Sequence, residues 1–373
     1  MIAVECSHVE RASSEPDSGS RELPDSQQQG MAGGAGQAGG SPGFVHEPVM
    51  LAEVAALLSE VPAGIVVDAT VGGGGHARAI LESRPDVGVL GIDRDPSALS
   101  AARSRLAPFG TRALVVHGEL ADLEDIVGAA TSAAGPLASY PGVSGVLFDL
   151  GVSSEQIDRA ERGFSYSKAG PLDMRMDPTR GRTAASVVNE LSEDELASLF
   201  AANGEGRNAR RLARAVVAAR PLTGTGQLAA LIAGALGGAG ARRGGHPAKR
   251  VFQAVRIEVN GELEQLQAGL EQAIGLLQPG GRLVCISYHS GEDRLVKAAM
   301  ATAATGGCTC PPKLPCGCGA VPVGRLVFKG AKKSRPAEVE DNPRSKSARL
   351  RCLERLAIDQ GTQARPGTQS RRS

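Results

Sequence analysis

Short runs of Val, Ile and Leu recur along the first half of the chain, each too brief for a helix. Ile65–Val67, Val87–Ile92, Leu114–Val116 and Val143–Phe148 are continuous and largely β-branched. Such runs read as strands buried on both faces. Leu51–Leu58, Ala77–Glu82 and Pro96–Leu106 instead carry apolar residues at helical spacing, the last with Pro in its first turn. Strand and helix in alternation predict a mostly parallel sheet covered by helices. The rhythm breaks between about Ser154 and Gly245, where no strand pattern is present. Leu191–Phe200, Arg207–Ala219 and Leu222–Leu236 read there as helices, the second strongly basic. Lys249–Leu277 then predicts one long helix leading back to the sheet, and Pro279-Gly280-Gly281 a turn. Arg282–Ser287 is the fifth strand and Glu292–Met300 a helix; Leu326–Phe328 and Ala348–Cys352 are two final strands, antiparallel to each other. The pattern is α/β, a Rossmann-like sheet with an inserted helical subdomain.

Composition sets the limits of that fold. Residues 1–43 are rich in Ser, Gly, Gln and Glu and are expected to be a disordered extension, as is the tail 357–373. The expected organisation is a core in two parts, 44–155 and 246–356, with the inserted helical substrate-recognition subdomain at 156–245. Net charge is +1, but it is unevenly spread: residues 1–43 hold six acids and two bases, residues 324–373 thirteen bases and five acids. The basic end suggests a polyanionic partner. No run approaches a membrane span and no secretory leader is evident, so a cytoplasmic protein without membrane contact is expected. Aromatic residues make up only 3% of the chain, so stacking on a base rests on few rings.

The densest chemistry lies at Val66-Val67-Asp68-Ala69-Thr70-Val71-Gly72-Gly73-Gly74-Gly75-His76. A strand runs into four glycines and then a helix start. Glycines let backbone approach a ligand, and the first N–H groups of the helix point at it. Gly72-x-Gly74-x-x-Ala77 is a loose dinucleotide fingerprint, and Asp93 ends the second strand where a carboxylate commonly binds ribose hydroxyls. NAD and S-adenosylmethionine both carry that ribose. Asp68 favours the second, as a carboxylate suited to a methionyl ammonium.

Other motifs fall at the same edge, because ligands of open α/β sheets bind outside the carboxyl ends of the strands. Asp149 closes the fourth strand, followed by Ser153, Ser154 and Gln156. Tyr288 and His289 follow the fifth, as a base-stacking ring and a general-base candidate. The loop Gly163–Asp177 holds Phe164, Tyr166, Arg175 and several Met and Asp, a composition suited to a lid. Cys308, Cys310, Cys316 and Cys318 suit tetrahedral zinc in residue type, although C-x-C spacing is tighter than usual; reduced thiols in a loop are the plainer expectation, and no metal is assigned. Residues 325–335 and 342–349 are basic enough to grip phosphates.

In order along the chain, these segments resemble the ribosomal RNA small-subunit methyltransferase H family. The likeness runs through His46–Val49, Asp68–His76, Gly91–Pro96, Phe148–Ser154, Asp158–Ser165, Gly170–Arg180, His246–Arg256, Ser287–Ser290 and Asn342–Ser345, and covers about residues 44–356. It implies a class I methyltransferase fold, S-adenosyl-L-methionine as cofactor, and methylation of the N4 amine of a cytidine in the decoding region of 16S rRNA, within the small ribosomal subunit. Carried over by position, it implies cofactor contacts from Gly74, Gly75, His76, Asp93, Leu120, Asp149 and Gln156. Asp149 is also the catalytic candidate, with Tyr288 or Phe164 stacking on the target base. Gly206 and Gly291 depart from the family pattern, away from these positions. An NAD-dependent oxidoreductase and a non-catalytic RNA-binding factor are the rival readings.

Overall fold

The structure is a computed structural model and describes residues 48–237, 246–311 and 317–357. The expected disordered extension and nearly all of the tail lie outside these residues, as do His46, Glu47 and Cys316. In chain order the elements are α1 (Leu51–Leu58), β1 (Gly64–Asp68), α2 (Gly75–Ser83), β2 (Val87–Asp93), α3 (Pro96–Leu106), β3 (Ala113–His117), α4 (Leu123–Thr131) and β4 (Val143–Asp149). The helical insertion follows as α5 (Ser154–Asp158), α6 (Ala184–Glu190), α7 (Glu193–Phe200), α8 (Ala209–Ala218) and α9 (Thr225–Leu236). The chain then runs through α10 (Lys249–Asn260), α11 (Glu262–Leu276), β5 (Leu277–Ser287), α12 (Ser290–Thr305), β6 (Gly324–Leu326), α13 (Pro336–Asp341) and β7 (Arg349–Arg355).

The seven strands form one sheet in the order β3-β2-β1-β4-β5-β7-β6. The first five are parallel, and β7 runs antiparallel to both of its neighbours. Strand order reverses between β1 and β4, which opens a crevice beyond their carboxyl ends. The strands are apolar throughout because both faces are covered. One face packs Leu90, Phe148 and Leu283 against α4, α11 and α12. The other packs Val66, Leu147 and Ile286 against α1, α2 and α3. No described helix is long and apolar enough to cross a membrane.

The expected long helix from Lys249 to Leu277 is two helices. Gly261 sits between them at φ 55°, a left-handed conformation that ends α10 and opens α11. The apolar period continues across the break, so pattern alone hides it. The insertion has its own core, centred on Phe200, Leu212, Val216, Leu228 and Ile232. Val251, Phe252 and Val255 of α10 belong to the same core, so the helical layer draws on residues past 245. β6 begins at Gly324, earlier than the apolar run suggests; Val327 and Phe328 lie beyond it and pack on the sheet's flank.

A polar seam joins the insertion to the sheet. Glu119 pairs with Arg94 at 3.1 Å and with Arg180 at 2.9 Å, and His117 Nε2 lies 3.1 Å from Asp177 Oδ2. Arg94 also donates to the Asn260 carbonyl at 2.7 Å. Asn260 is 5% exposed, donates to Met174 O and accepts from Met176 N, which holds the 163–177 loop in place.

Candidate active site

The glycine turn is built by strand-end geometry. Val71 N donates to Ile92 O and Gly74 N to Val71 O, so the chain folds back across the end of β2. Gly74 has φ 77° and caps α2. A side chain on Gly75 would run into the Pro48 ring, and one on Gly74 would press on Ala102 of α3. Both glycines thus put their bare side inward, and side chains are absent where backbone must come close. The first N–H groups of α2 have no acceptor within the helix, because its bonds begin with Arg78 N to Gly74 O.

Asp93 ends β2 with both oxygens oriented. Oδ2 accepts from Gly72 N and Oδ1 from Asp95 N, each at 2.9 Å. Two carboxylate oxygens offer about four lone-pair sites, so acceptor capacity is left over. Gln156 is 6% exposed and works as a brace: its Oε1 accepts from Ser153 N and its Nε2 donates to Asp95 Oδ2 at 2.8 Å. Asp95 in turn caps α3 through Ser97 N and pairs with Arg162 at 2.9 Å. Leu120 is half-buried, its backbone against α11 at Gly269, where a side chain would meet it.

Asp149, Tyr288 and His76 meet at the carboxyl edge. Asp149 N donates to Thr70 Oγ1 at 2.7 Å, which fixes the end of β4 against the glycine turn. Tyr288 Oη donates to Asp149 Oδ1 at 2.7 Å, while His76 Nε2 lies 3.6 Å from Asp149 Oδ2. Burial, then the nearby Asp149 charge, holds the Tyr288 phenol well above its ordinary range, so its proton stays on. His76 is 5% exposed, and neither ring nitrogen has a hydrogen-bond partner among the described residues. Buried polar atoms left in this way commonly mark a ligand or water site.

Asp68 differs from expectation. It is 1% exposed, so its carboxylate is closed off from the crevice surface, with His76 and Asp149 as charged neighbours. Desolvation pushes its pKa up to about 7, opposed by the neighbouring His76 and reinforced by the Asp149 charge. Phe164 also differs: it is buried in the insertion core with the Arg162 guanidinium 5.7 Å from its ring centroid, so it offers no face to a base. The 163–177 loop is a wall, not a lid, because Leu172, Met174 and Met176 are buried in the same core. His289 caps α12, its Nδ1 accepting from Gly291 N and Glu292 N, a structural duty that leaves that nitrogen no free lone pair for base catalysis.

The basic C-terminal arginines are engaged too. Arg325 pairs with Glu354, Arg335 with Glu53, Arg344 with Asp158 and Arg349 with Asp293. They tie the last strands to the body, while Lys329, Lys332, Lys333 and Lys346 are exposed. Thr70, Asp95 and Arg162 lie within the motifs, but their partners, Asp149 N for Thr70 and Arg162 for Asp95, had no signal in the sequence. They matter through contacts across the fold, and nothing in their local pattern predicts a partner.

A parallel sheet with only β7 reversed, a glycine turn after β1 and acids at the ends of β2 and β4 define a class I methyltransferase, dependent on S-adenosylmethionine. The residues fit that cofactor, since the turn is bare, His76 is unpartnered among the described residues and Asp93 keeps acceptor capacity. The family model of the MraW methylase family matches residues 43–356, and the chain belongs to that family. Similar curated proteins carry the name ribosomal RNA small subunit methyltransferase H. The one from Symbiobacterium thermophilum is 48% identical, covering 84% of this chain and 97% of its own. That from Geobacter sulfurreducens is 49% identical over 84% and 99%, and that from Mycobacterium tuberculosis 45% over 85% and 81%. Solved structures match at a distance: a putative rRNA-methylase from Clostridium thermocellum has TM-score 0.38 at 11% identity, covering 84% of this chain and all of its own, and the fold stands on the sheet order instead.

Proposed function

We propose that this chain methylates the exocyclic N4 amine of a cytidine in the decoding region of 16S rRNA, within the small ribosomal subunit. The relatives' shared name supports an rRNA substrate. One observation carries the chemistry: Asp149 stands at the crevice with Oδ1 held by the Tyr288 hydroxyl and Oδ2 unclaimed by any hydrogen bond among the described residues. When bound, S-adenosylmethionine supplies an electrophilic methyl group, so an amine can attack without a covalent nucleophile.

The protein's part is positioning and proton acceptance. The N–H groups at the start of α2, with Gly74, Gly75 and His76, would hold the cofactor; Asp93 would take ribose hydroxyls and Leu120 would contact the adenine, while Gln156 braces Asp95 and with it the start of α3. Asp149 Oδ2 accepts a hydrogen bond from the cytosine amine and orients its lone pair. The Tyr288 ring, beside Gly151 at the crevice edge, would stack on the extruded base. A carbon-5 mechanism needs a thiolate. Cys285 is wholly buried with its thiol pushed well up by desolvation, and Cys352 is pushed up to about 12, so neither serves.

The test is mass spectrometry of 16S rRNA from a strain lacking this protein, complemented with wild type or Asp149→Ala. Loss of N4-methylcytidine, restored by wild type alone, is expected. An unchanged level in the deletion strain overturns the proposal. Assays on naked 16S rRNA and on small subunits, side by side, settle the form of the substrate, with turnover expected on subunits.

A further inference from the structure

The segment after α12 carries chemistry that methyl transfer does not use. α12 ends in two left-handed glycines, Gly306 at φ 63° and Gly307 at φ 74°, which turn the chain sharply away. The chain returns where Val323 N donates to Ala303 O at 2.9 Å. A side chain on Gly306 would strike the Val321 backbone, so both feet of the excursion stand on the last turn of α12. None of the described residues between 306 and 322 is buried, and Val321 is 63% exposed. This excursion has no apolar core of its own among the described residues.

It does have thiols. The Sγ atoms of Cys308, Cys310 and Cys318 all lie within 4.8 Å of one another. Zinc–thiolate bonds of about 2.3 Å in a tetrahedron place sulfurs roughly 3.8 Å apart. Closing that gap takes side-chain adjustments of about an ångström or less. The backbone N–H groups of Gly317 and Cys318 point at the Cys310 sulfur. Such N–H groups favour the thiolate, which is the form that binds metal. The other cluster of potential ligands, Glu262, His289 and Glu292, is already spent: Arg256 grips Glu262 through two bonds of 2.7 Å, and His289 caps α12.

We propose that Cys308, Cys310 and Cys318 bind one zinc ion that pins residues 306–311 and 317–322 to the end of α12. The role is structural. β5 is parallel to β4 and ends at the crevice, and α12 runs back from there for 16 residues, about 24 Å. Gly324 pairs with Arg355, and its neighbour Glu354 pairs with Arg282, midway along β5 and farthest from the crevice of the residues that β5 pairs with β7. The cluster therefore lies toward the edge opposite the glycine turn, and zinc there stabilises the fold without touching the reaction. Soft thiolate donors select zinc over magnesium or manganese, and binding releases thiol protons, so affinity falls as pH falls.

The test uses the full chain, purified reduced and without chelator. Elemental analysis is expected to find about one zinc per chain. Cobalt substitution is expected to give the absorption of a tetrahedral thiolate site. Cys310→Ser and the triple variant Cys308→Ser, Cys310→Ser, Cys318→Ser are expected to lose most of the metal while still binding S-adenosylmethionine by calorimetry. Should the variants not fold, a mercurial that displaces metal from wild type reads the same property. Stoichiometric zinc release, with faster proteolysis between 306 and 322, supports the site. Wild type that holds no zinc after dialysis against it, or a triple variant that holds as much as wild type, overturns it. Neither result bears on methyl transfer, which the rRNA analysis tests separately.

Discussion

The two oxygens of Asp149 have different partners, and this makes its role testable. Tyr288 holds Oδ1, so only Oδ2 is offered to a substrate. Asp149→Asn keeps the size and the Tyr288 interaction but replaces an anionic acceptor. We expect the rate of methyl transfer at saturating cofactor to fall by roughly 10²–10⁴, as measured by single-turnover kinetics, with calorimetry setting the cofactor concentration needed for saturation. Retained turnover at saturating cofactor would remove Asp149 from catalysis. Asp68 makes a different prediction. Its carboxyl keeps a proton up to about pH 7 in the fold, against an ordinary value of 3.8. Between those values the folded state holds more protons than the unfolded one, so stability is fully present at the acid end and is lost as pH rises through 7. Asp68→Asn removes the titration. Urea unfolding should show the variant gaining on wild type between pH 5 and pH 8, by at most about 3 kcal/mol. A pH-independent difference would show that Asp68 does not titrate in that range.

At the scale of elements, α1 and the first four strands were legible because apolar runs of the right length have one good solution. Asp93, Asp149 and Tyr288 were legible because strand ends at the carboxyl edge are where such sheets bind ligands. The break at Gly261 was not, because a single glycine leaves the helical period intact and only its φ of 55° reveals the turn. Nor was the burial of Phe164, since an aromatic in a polar loop gives no sign of the core it enters. The glycine turn offers a paired test. Gly75→Ala drives a side chain into Pro48 and shifts the start of α2, so cofactor affinity should fall about tenfold or more. At Gly73 the nearest atom to a new side chain is Arg105 Nη1 at 3.8 Å, so the free protein has room. Any affinity lost in Gly73→Ala then reports the cofactor's own approach to the backbone. Calorimetry reads both, with thermal unfolding to confirm that the fold persists. Full affinity in both variants would detach the turn from cofactor binding.

For the whole molecule, the question is which surface meets a polyanion. The sequence pointed to the C-terminal basic stretch, yet four of its arginines are committed to Glu354, Glu53, Asp158 and Asp293. Exposed pairs of this kind contribute little stability individually, but each lowers the positive field available to phosphate. α8 is arranged otherwise. Leu212, Ala213 and Val216 face the insertion core, while Arg210, Arg211 and Arg214 are exposed on the opposite side. Among the described residues only Arg214 of the three is near an acid, Glu193, at 3.4 Å. Amphipathic spacing thus serves packing on one face and presents charge on the other. Phosphate contacts set affinity and salt dependence without reading sequence. Reversing Arg210 and Arg211 to Glu should therefore weaken 16S rRNA binding. It should also reduce the slope of log affinity against log salt, by about 0.7 for each single-strand phosphate no longer neutralised. Cofactor affinity should not change, because α8 belongs to the insertion core and none of the crevice residues is on it. Filter binding across a salt series measures the slope. An unaltered slope would move the rRNA surface off α8 and onto the exposed lysines of residues 329–346, where the same substitution and salt series would locate it.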